Sequence, residues 1–480
     1  MSRRCVRISI SLFVVVFTLG VSSLPTAFGA DAQPEQWDER IAPVARAAEK
    51  IRGLAFEHPV PVRFLTDAAF RKRVTSDRDK LTKQDKREIR TTTETLRAFG
   101  LLPGHVDLFD AVNTARGDGV LAYYSPEDHE VVVRGKGPID APTRATLAHE
   151  LTHVLQDQHF DLPKLEKADG KEHPDSGALK ALIEGDANWV EDKYVGEMSQ
   201  ADRQAYIDSF SAADSTSSAT ASAVPGIVQF IIGAPYELGP FMIDALRATD
   251  GRAGVDAAFR RPPTNDAQML DPAKLVLNTT ARTVKAPKLG AGERRIGESE
   301  EFGALSLYIM LASRIPAADA FAAADGWAGD RQITLRKHGT TCVRVAVEGR
   351  TPAATTRIRS ALDTWAAAMP AGAASTRPRG DGIELTSCDP GAAVAGPSEE
   401  KLTRAQTLLS ERNGSLIEVL QQKASPELAI CFANGLAADP LFTSLIVDAG
   451  TSFSQLDDAS QEQLRTVANG VAGRCRNAAG

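Results

Sequence analysis

Cysteine is sparse: the 480 residues hold five, and no two are spaced as CxxC. A zinc site built from four thiolates usually draws its ligands from such close pairs, so that reading is weak. Nor does any stretch reach the roughly 18 consecutive apolar residues of a membrane-spanning helix. The longest apolar run, Ile8 to Val21, falls short. An excess of basic residues is missing too, with 55 Lys and Arg against 62 Asp and Glu and a net charge of −7. That balance argues against nucleic acid as a partner, which would call for a basic footprint. Internal repeats are absent. With 43% hydrophobic residues the chain is nevertheless too apolar to be disordered, and it holds enough for one large domain or two to three ordinary ones.

The cysteines carry information through their position. Cys5 precedes the apolar run Ile8 to Val21, which follows Arg3, Arg4 and Arg7 and leads to Ala27-Phe28-Gly29-Ala30. This is the layout of a secretory signal peptide over residues 1–30, cut after Ala30. The mature chain is then expected to be secreted or extracytoplasmic, with no integral membrane segment. The remaining four, Cys342, Cys388, Cys431 and Cys475, are an even number, as disulfides in an oxidising compartment require. Pairing between sequence neighbours gives Cys342–Cys388 and Cys431–Cys475. Each bond would stabilise the fold by about 4 kcal/mol on the chain-entropy argument.

Residues 31–115 have a mostly helical pattern, with amphipathic stretches from Glu35 to Gly53 and from Lys83 to Phe99. Between them Pro59 to Leu65 alternates as a short edge strand, the one sheet position that tolerates two prolines. Val120 to Tyr124 and Glu130 to Arg134 flank a proline turn and predict a hairpin. Helices are predicted from about Pro142 to His159, capped by Asp140, and from about Ser176 to Met198. The Ser/Ala/Thr-rich segment Ser211 to Ala223 has the composition of a loop. A core region is expected over 116–330, a ββαβ segment over 331–390, and a linker with a C-terminal helical module over 391–480.

One constellation carries chemistry. His149-Glu150-Leu151-Thr152-His153 is an HExxH motif on the first of those two helices. Histidines four apart on a helix share a face, so both imidazoles can reach one metal ion. Glu150 is rotated about 100° from His149, at the rim of that face, where it can take a proton from metal-bound water rather than ligate. With eight histidines in 480 residues, a chance HExxH is expected in roughly one such chain in a hundred. Leu147, Leu151, Val154 and Leu155 on the same helix indicate burial, where unligated histidines would be out of place.

Two residues compete to be the third ligand. His159 lies six after His153, the spacing of astacin-like sites, which bend at a glycine. Gln156 stands at that glycine position, so a continuing helix would carry His159 about 9 Å along the axis and away from the metal. Glu184, on a helix lined with Leu179, Leu182, Ile183, Val190 and Tyr194, is a carboxylate beside an apolar face and in want of a partner. Gly185 costs that helix about 1 kcal/mol relative to alanine, which close approach to the HExxH helix would explain. The geometry favours Glu184.

The stretch from His149 to Leu162, followed by Glu184-Gly185-Asp186-Ala187, resembles a family of bacterial exported zinc metallopeptidase-like proteins of the gluzincin group. The resemblance extends through Val120 to Pro126, Arg261-Pro262-Pro263 and Gly326 to Arg331, over roughly residues 40–370. It implies an α+β, mainly α-helical fold: a zincin-like catalytic domain with a small β-sheet and an HExxH helix, followed by the C-terminal helical module. It also implies one Zn2+ per chain, held by His149, His153 and Glu184, with Glu150 activating water to hydrolyse a protein or peptide substrate. An exported zinc-binding or wall-associated protein without turnover is the alternative, and zinc hydrolysis of a non-peptide bond a third reading. Intact Glu150 speaks for an enzyme, since a structural site needs only its ligands.

Weaker signals are read conservatively. Tyr236 is a candidate oxyanion donor but is more simply a core residue, and Asp157, one turn after His153, is a candidate to support the ligands but is more simply a solvated helix end. Trp327 with Asp330-Arg331 reads as a structural turn, and His58, His105, His129, His173 and His338 as filler.

Overall fold

The computed structural model describes residues 34–136, 139–172, 177–209 and 224–479. The expected signal peptide, the segment Ser211 to Ala223 and His173 lie outside the described residues. The fold is α+β and mainly helical, with two sheets among the described residues.

The first sheet has three strands in the order β1 (Val62–Leu65), β3 (Glu130–Arg134), β2 (Ala122–Ser125). β1 runs parallel to β3 and β2 antiparallel to it, and the two prolines precede β1 at the sheet edge as expected. The HExxH helix, Ala141–Phe160, packs across this sheet. Asp140 caps its first turn by accepting from the Thr143 amide at 3.0 Å, and Pro142 sits where the helix has no use for an N–H. Leu147, Leu151, Val154 and Leu155 are fully buried against Val131 and Val133 of the sheet and Val44, Ala45 and Ala48 of helix Ala42–Arg52. Full burial of each such leucine contributes about 1.5–3 kcal/mol.

The Glu184 helix, Ala178–Glu197, packs against the HExxH helix on one side and Gly226–Arg260 on the other. The latter is a long apolar helix that breaks at Gly251, where φ is 64°. By length and composition it could cross a membrane, yet 56% of its most apolar stretch is buried inside the protein. It forms the centre of the main hydrophobic core, which also takes in Leu402, Leu408 and Leu409 of helix Glu399–Gln421 and Leu436 of Pro426–Ala437.

The second sheet is antiparallel, in the order β4 (Glu293–Glu300), β5 (Trp327–Lys337), β6 (Thr340–Gly349), β8 (Gly382–Cys388), β7 (Ala374–Arg379). Helix Pro352–Ala367 joins β6 to β7. The expected ββαβ segment is present, with β7 added within it and β4 before it. Both additions are edge strands. β4 reads Glu-Arg-Arg-Ile-Gly-Glu-Ser-Glu with little to bury, and β7 contains Pro378, so neither shows an apolar alternation.

Both expected disulfides are formed. Cys342 and Cys388 are direct partners across β6 and β8, and Cys431–Cys475 ties helix Pro426–Ala437 to Asp458–Ala479. Disulfides of this kind belong to an oxidising environment.

Candidate metal centre

His149 and His153 project from one face of the HExxH helix, their ring centroids 4.8 Å apart. Glu184 reaches them from the neighbouring helix. Its Oε2 lies 3.3 Å from His149 Nε2 and 3.3 Å from His153 Nε2. In a tetrahedral site with metal–N and metal–O distances of about 2.0–2.1 Å, neighbouring donors are about 3.3 Å apart. The two Glu184–imidazole distances therefore match those between neighbouring donors on a tetrahedral metal ion. Among the described residues this is the one group of three His, Cys, Asp or Glu side chains whose ligand atoms all lie within 4.8 Å of each other. All three residues are largely buried.

Each ligand is held from behind. Glu184 Oε1 accepts from Lys180 Nζ at 2.9 Å and from the Tyr236 hydroxyl at 3.0 Å, which leaves Oε2 to the imidazoles. His149 Nδ1 lies 3.2 Å from Glu191 Oε2, and the Tyr206 hydroxyl donates to Glu191 Oε1 at 3.0 Å. His153 Nδ1 lies 2.9 Å from Gln156 Oε1. Both histidines thus have the outer nitrogen occupied and the inner one turned to the centre, the arrangement that metal-binding imidazoles adopt.

The charges of the site follow from its burial. Burial alone would raise the Glu184 carboxyl, but Lys180, His153 and His149 hold it well below the usual carboxylate range. Burial alone would lower the His149 imidazole, but Glu184, Glu191 and Glu150 raise it well above its ordinary value. Glu150 is pushed up by burial, against the pull of His149 and His153. The Tyr236 phenol is raised by burial and then by Glu184.

Glu150 stands beside the ligands with its Oε2 accepting the Tyr124 amide at 2.7 Å. That bond comes from β2. From its sequence the strand Glu130 to Arg134 would be expected both to lie beside the HExxH helix and to offer its backbone to an extended substrate. It does pack under that helix, but it has no free edge to offer, since β3 is the central strand with β1 and β2 on its two sides. In the antiparallel ladder the Arg134 amide bonds the Leu121 carbonyl, so the alternate positions Ala122 and Tyr124 face outward, toward Glu150.

His159 does not join the site. Its Nε2 lies 2.7 Å from the Ala55 carbonyl, on the exposed end of a helix that continues unbroken through Gln156. Gly185 does serve a close approach, but to a different partner than expected. It meets Gly239 of the long helix, not the HExxH helix. Asp157 is not a solvated helix end either: it is buried and accepts the Tyr124 hydroxyl at 2.7 Å and the Leu162 amide at 3.0 Å. Trp327 with Asp330-Arg331 is not a turn but the start of β5, where its role is structural. Its indole N–H donates to Asp330 at 2.7 Å, and Asp330 also accepts the Phe302 and Gly303 amides. None of His58, His105, His129 and His338 belongs to the metal-ligand group.

Lys180, Glu191 and Gln156 escaped the sequence reading. A signal existed for two of them. Lys180 is four residues before Glu184 and Glu191 seven after it, so all three share one face of their helix.

No family model, curated protein or solved structure matches this chain. What it does is therefore a question for its own side chains.

Proposed function

We propose that the protein is an exported zinc-dependent peptidase of the gluzincin type, with a zincin-like catalytic core. The observation that carries this is the convergence of Glu184 Oε2 on His149 Nε2 and His153 Nε2, 3.3 Å from each, with Glu150 between the two histidines in sequence on their helix. A zinc ion bound there supplies a Lewis acid for the scissile carbonyl and makes a bound water acidic near neutral pH.

The chain's own groups do the rest. Glu150 takes the proton of the attacking water and delivers it to the leaving amine. Its bond from the Tyr124 amide fixes its direction. An extended peptide would add along the outward edge of β2, gaining affinity from backbone groups with little side-chain selectivity. The Tyr236 hydroxyl, which donates to Glu184 Oε1, is within the same site and would steady an oxyanion by turning its O–H from that carboxylate to the substrate. Two disulfides fit a destination outside the reducing cytosol.

The test compares wild type with Glu150→Gln for bound zinc and for hydrolysis of a mixed peptide library. One zinc per chain is expected in both, with hydrolysis in wild type alone. Wild type without zinc overturns the metal site, and activity that survives Glu150→Gln overturns the base. Zinc without hydrolysis by wild type would leave the non-catalytic binding protein.

A further inference from the structure

We propose that Gln156 is a positioning residue, one that sets the tautomer of His153 and so turns a bare Nε2 toward the metal. Asp186 and Arg52 hold it in place. The inference rests on the reading of His149, His153 and Glu184 as metal ligands.

Gln156 is fully buried, three residues after His153. One end of its amide lies 3.0 Å from the Ile183 carbonyl oxygen and 3.1 Å from Asp186 Oδ2. Both of those atoms can only accept, so the NH2 group must face them. Turning the amide over would set its oxygen against a carbonyl and a carboxylate. The amide oxygen is thereby committed to the other side, 2.9 Å from His153 Nδ1. An oxygen there can only accept, so Nδ1 carries the proton and donates it. A neutral imidazole with its proton on Nδ1 has its lone pair on Nε2, the atom 3.3 Å from Glu184 Oε2.

Asp186 cannot turn aside to relax this constraint. Its Oδ2 also accepts from Arg52 Nε at 2.7 Å, and Arg52 Nη2 lies 2.8 Å from Asp256 Oδ1. Arg52 and Asp186 are wholly buried, so each needs the other's charge. A chain of contacts thus runs from Asp256 through Arg52, Asp186 and Gln156 to His153. It also accounts for the amide at position 156. The corresponding support of His149 is a carboxylate, Glu191. A second carboxylate at 156 would face Asp186 and the Ile183 carbonyl and be repelled by both.

The test reads the tautomer directly. Histidine is labelled with 15N, and zinc-free protein is examined by NMR with the pH raised until the His153 nitrogen shifts no longer change. Wild-type His153 is expected with its proton on Nδ1, and Gln156→Leu with the proton shared between the two nitrogens. Zinc affinity by chelator competition is expected to fall about 10–100-fold in Gln156→Leu, as for other groups that support metal-binding histidines. Should that variant not fold, Gln156→Met, which also removes the acceptor, replaces it with the same two readouts and the same expected direction. A wild-type His153 protonated on Nε2 overturns the proposal, as does unchanged zinc affinity in a folded variant. If wild type takes up no zinc but shows the Nδ1 proton, the relay stands and the metal reading falls.

Discussion

Gly185 and Gly239 meet backbone to backbone: a Cβ added to either would lie closer than 3.0 Å to main-chain atoms of the opposite helix. Backbone cannot rotate out of the way as a side chain can. Gly185→Ala would gain about 1 kcal/mol of helix propensity but lose about 1–3 kcal/mol through overpacking. A net loss of stability is expected, and Glu184, the next residue, would shift from the imidazoles. Thermal unfolding of the chelator-treated protein and zinc competition measure the two effects. A variant as stable as wild type with undiminished zinc affinity would show that the helices can separate at no cost.

Zinc affinity should collapse in Glu184→Ala and stay near wild type in His159→Ala. Glu184 Oε2 faces both imidazoles, whereas His159 is engaged with the Ala55 carbonyl. Titration against a chromogenic chelator ranks the two. The reverse ranking would make the site astacin-like.

Opening Cys431–Cys475 should act on one end of the molecule. The bond closes a separation of 44 residues and is worth about 4 kcal/mol on the chain-entropy argument. In Cys431→Ala/Cys475→Ala, helix Asp458–Ala479 should be the first segment to lose protection in hydrogen exchange. The HExxH helix should exchange as in wild type, and early loss of its protection would contradict this.

A pH dependence is expected from Asp266. Its carboxyl accepts the amides of Ala304, Leu305 and Ser306 at the start of helix Ala304–Ala312, beside Gly303. Burial first, and then the charge of Asp330, raise it from 3.8 to about 7. The unfolded chain releases this proton near 3.8 and the folded chain near 7, so the folded state binds more protons in between. This contribution to stability is complete below that window and is lost as the pH rises through it. Denaturant midpoints measured across the window should fall less in Asp266→Asn than in wild type. Equal slopes would mean that Asp266 is ionised throughout.

The features legible in the sequence are those with a local cause. The HExxH helix announces itself by its period and by Asp140 at its cap, the prolines before β1 by their need for an edge, and the disulfides by the order of four cysteines. Glu184 was within reach because a carboxylate on an apolar helix face calls for a partner. The rest depends on what arrives from elsewhere. Gln156 reads as a good helix former, and only the Ile183 carbonyl and Asp186 on the next helix reveal which way its amide must point. Gly185 advertises a close approach without naming Gly239 as the partner. The edge role of β2 could not be read from a hairpin either, since it depends on β1 having joined β3 from the other side.

Arg52 and Asp186 are 134 residues apart in the chain, and each neutralises the other out of reach of water. The helix Ala42–Arg52 is thus part of the support beneath His153, although it contributes nothing to the motif by which the site is recognised. A chain shortened to begin after Gly53 would keep HExxH and Glu184 intact and still bury the Asp186 carboxylate, now without the guanidinium that donates to it. The smallest piece of this protein able to hold His153 as it stands is therefore much longer than the stretch that spells out the candidate ligands.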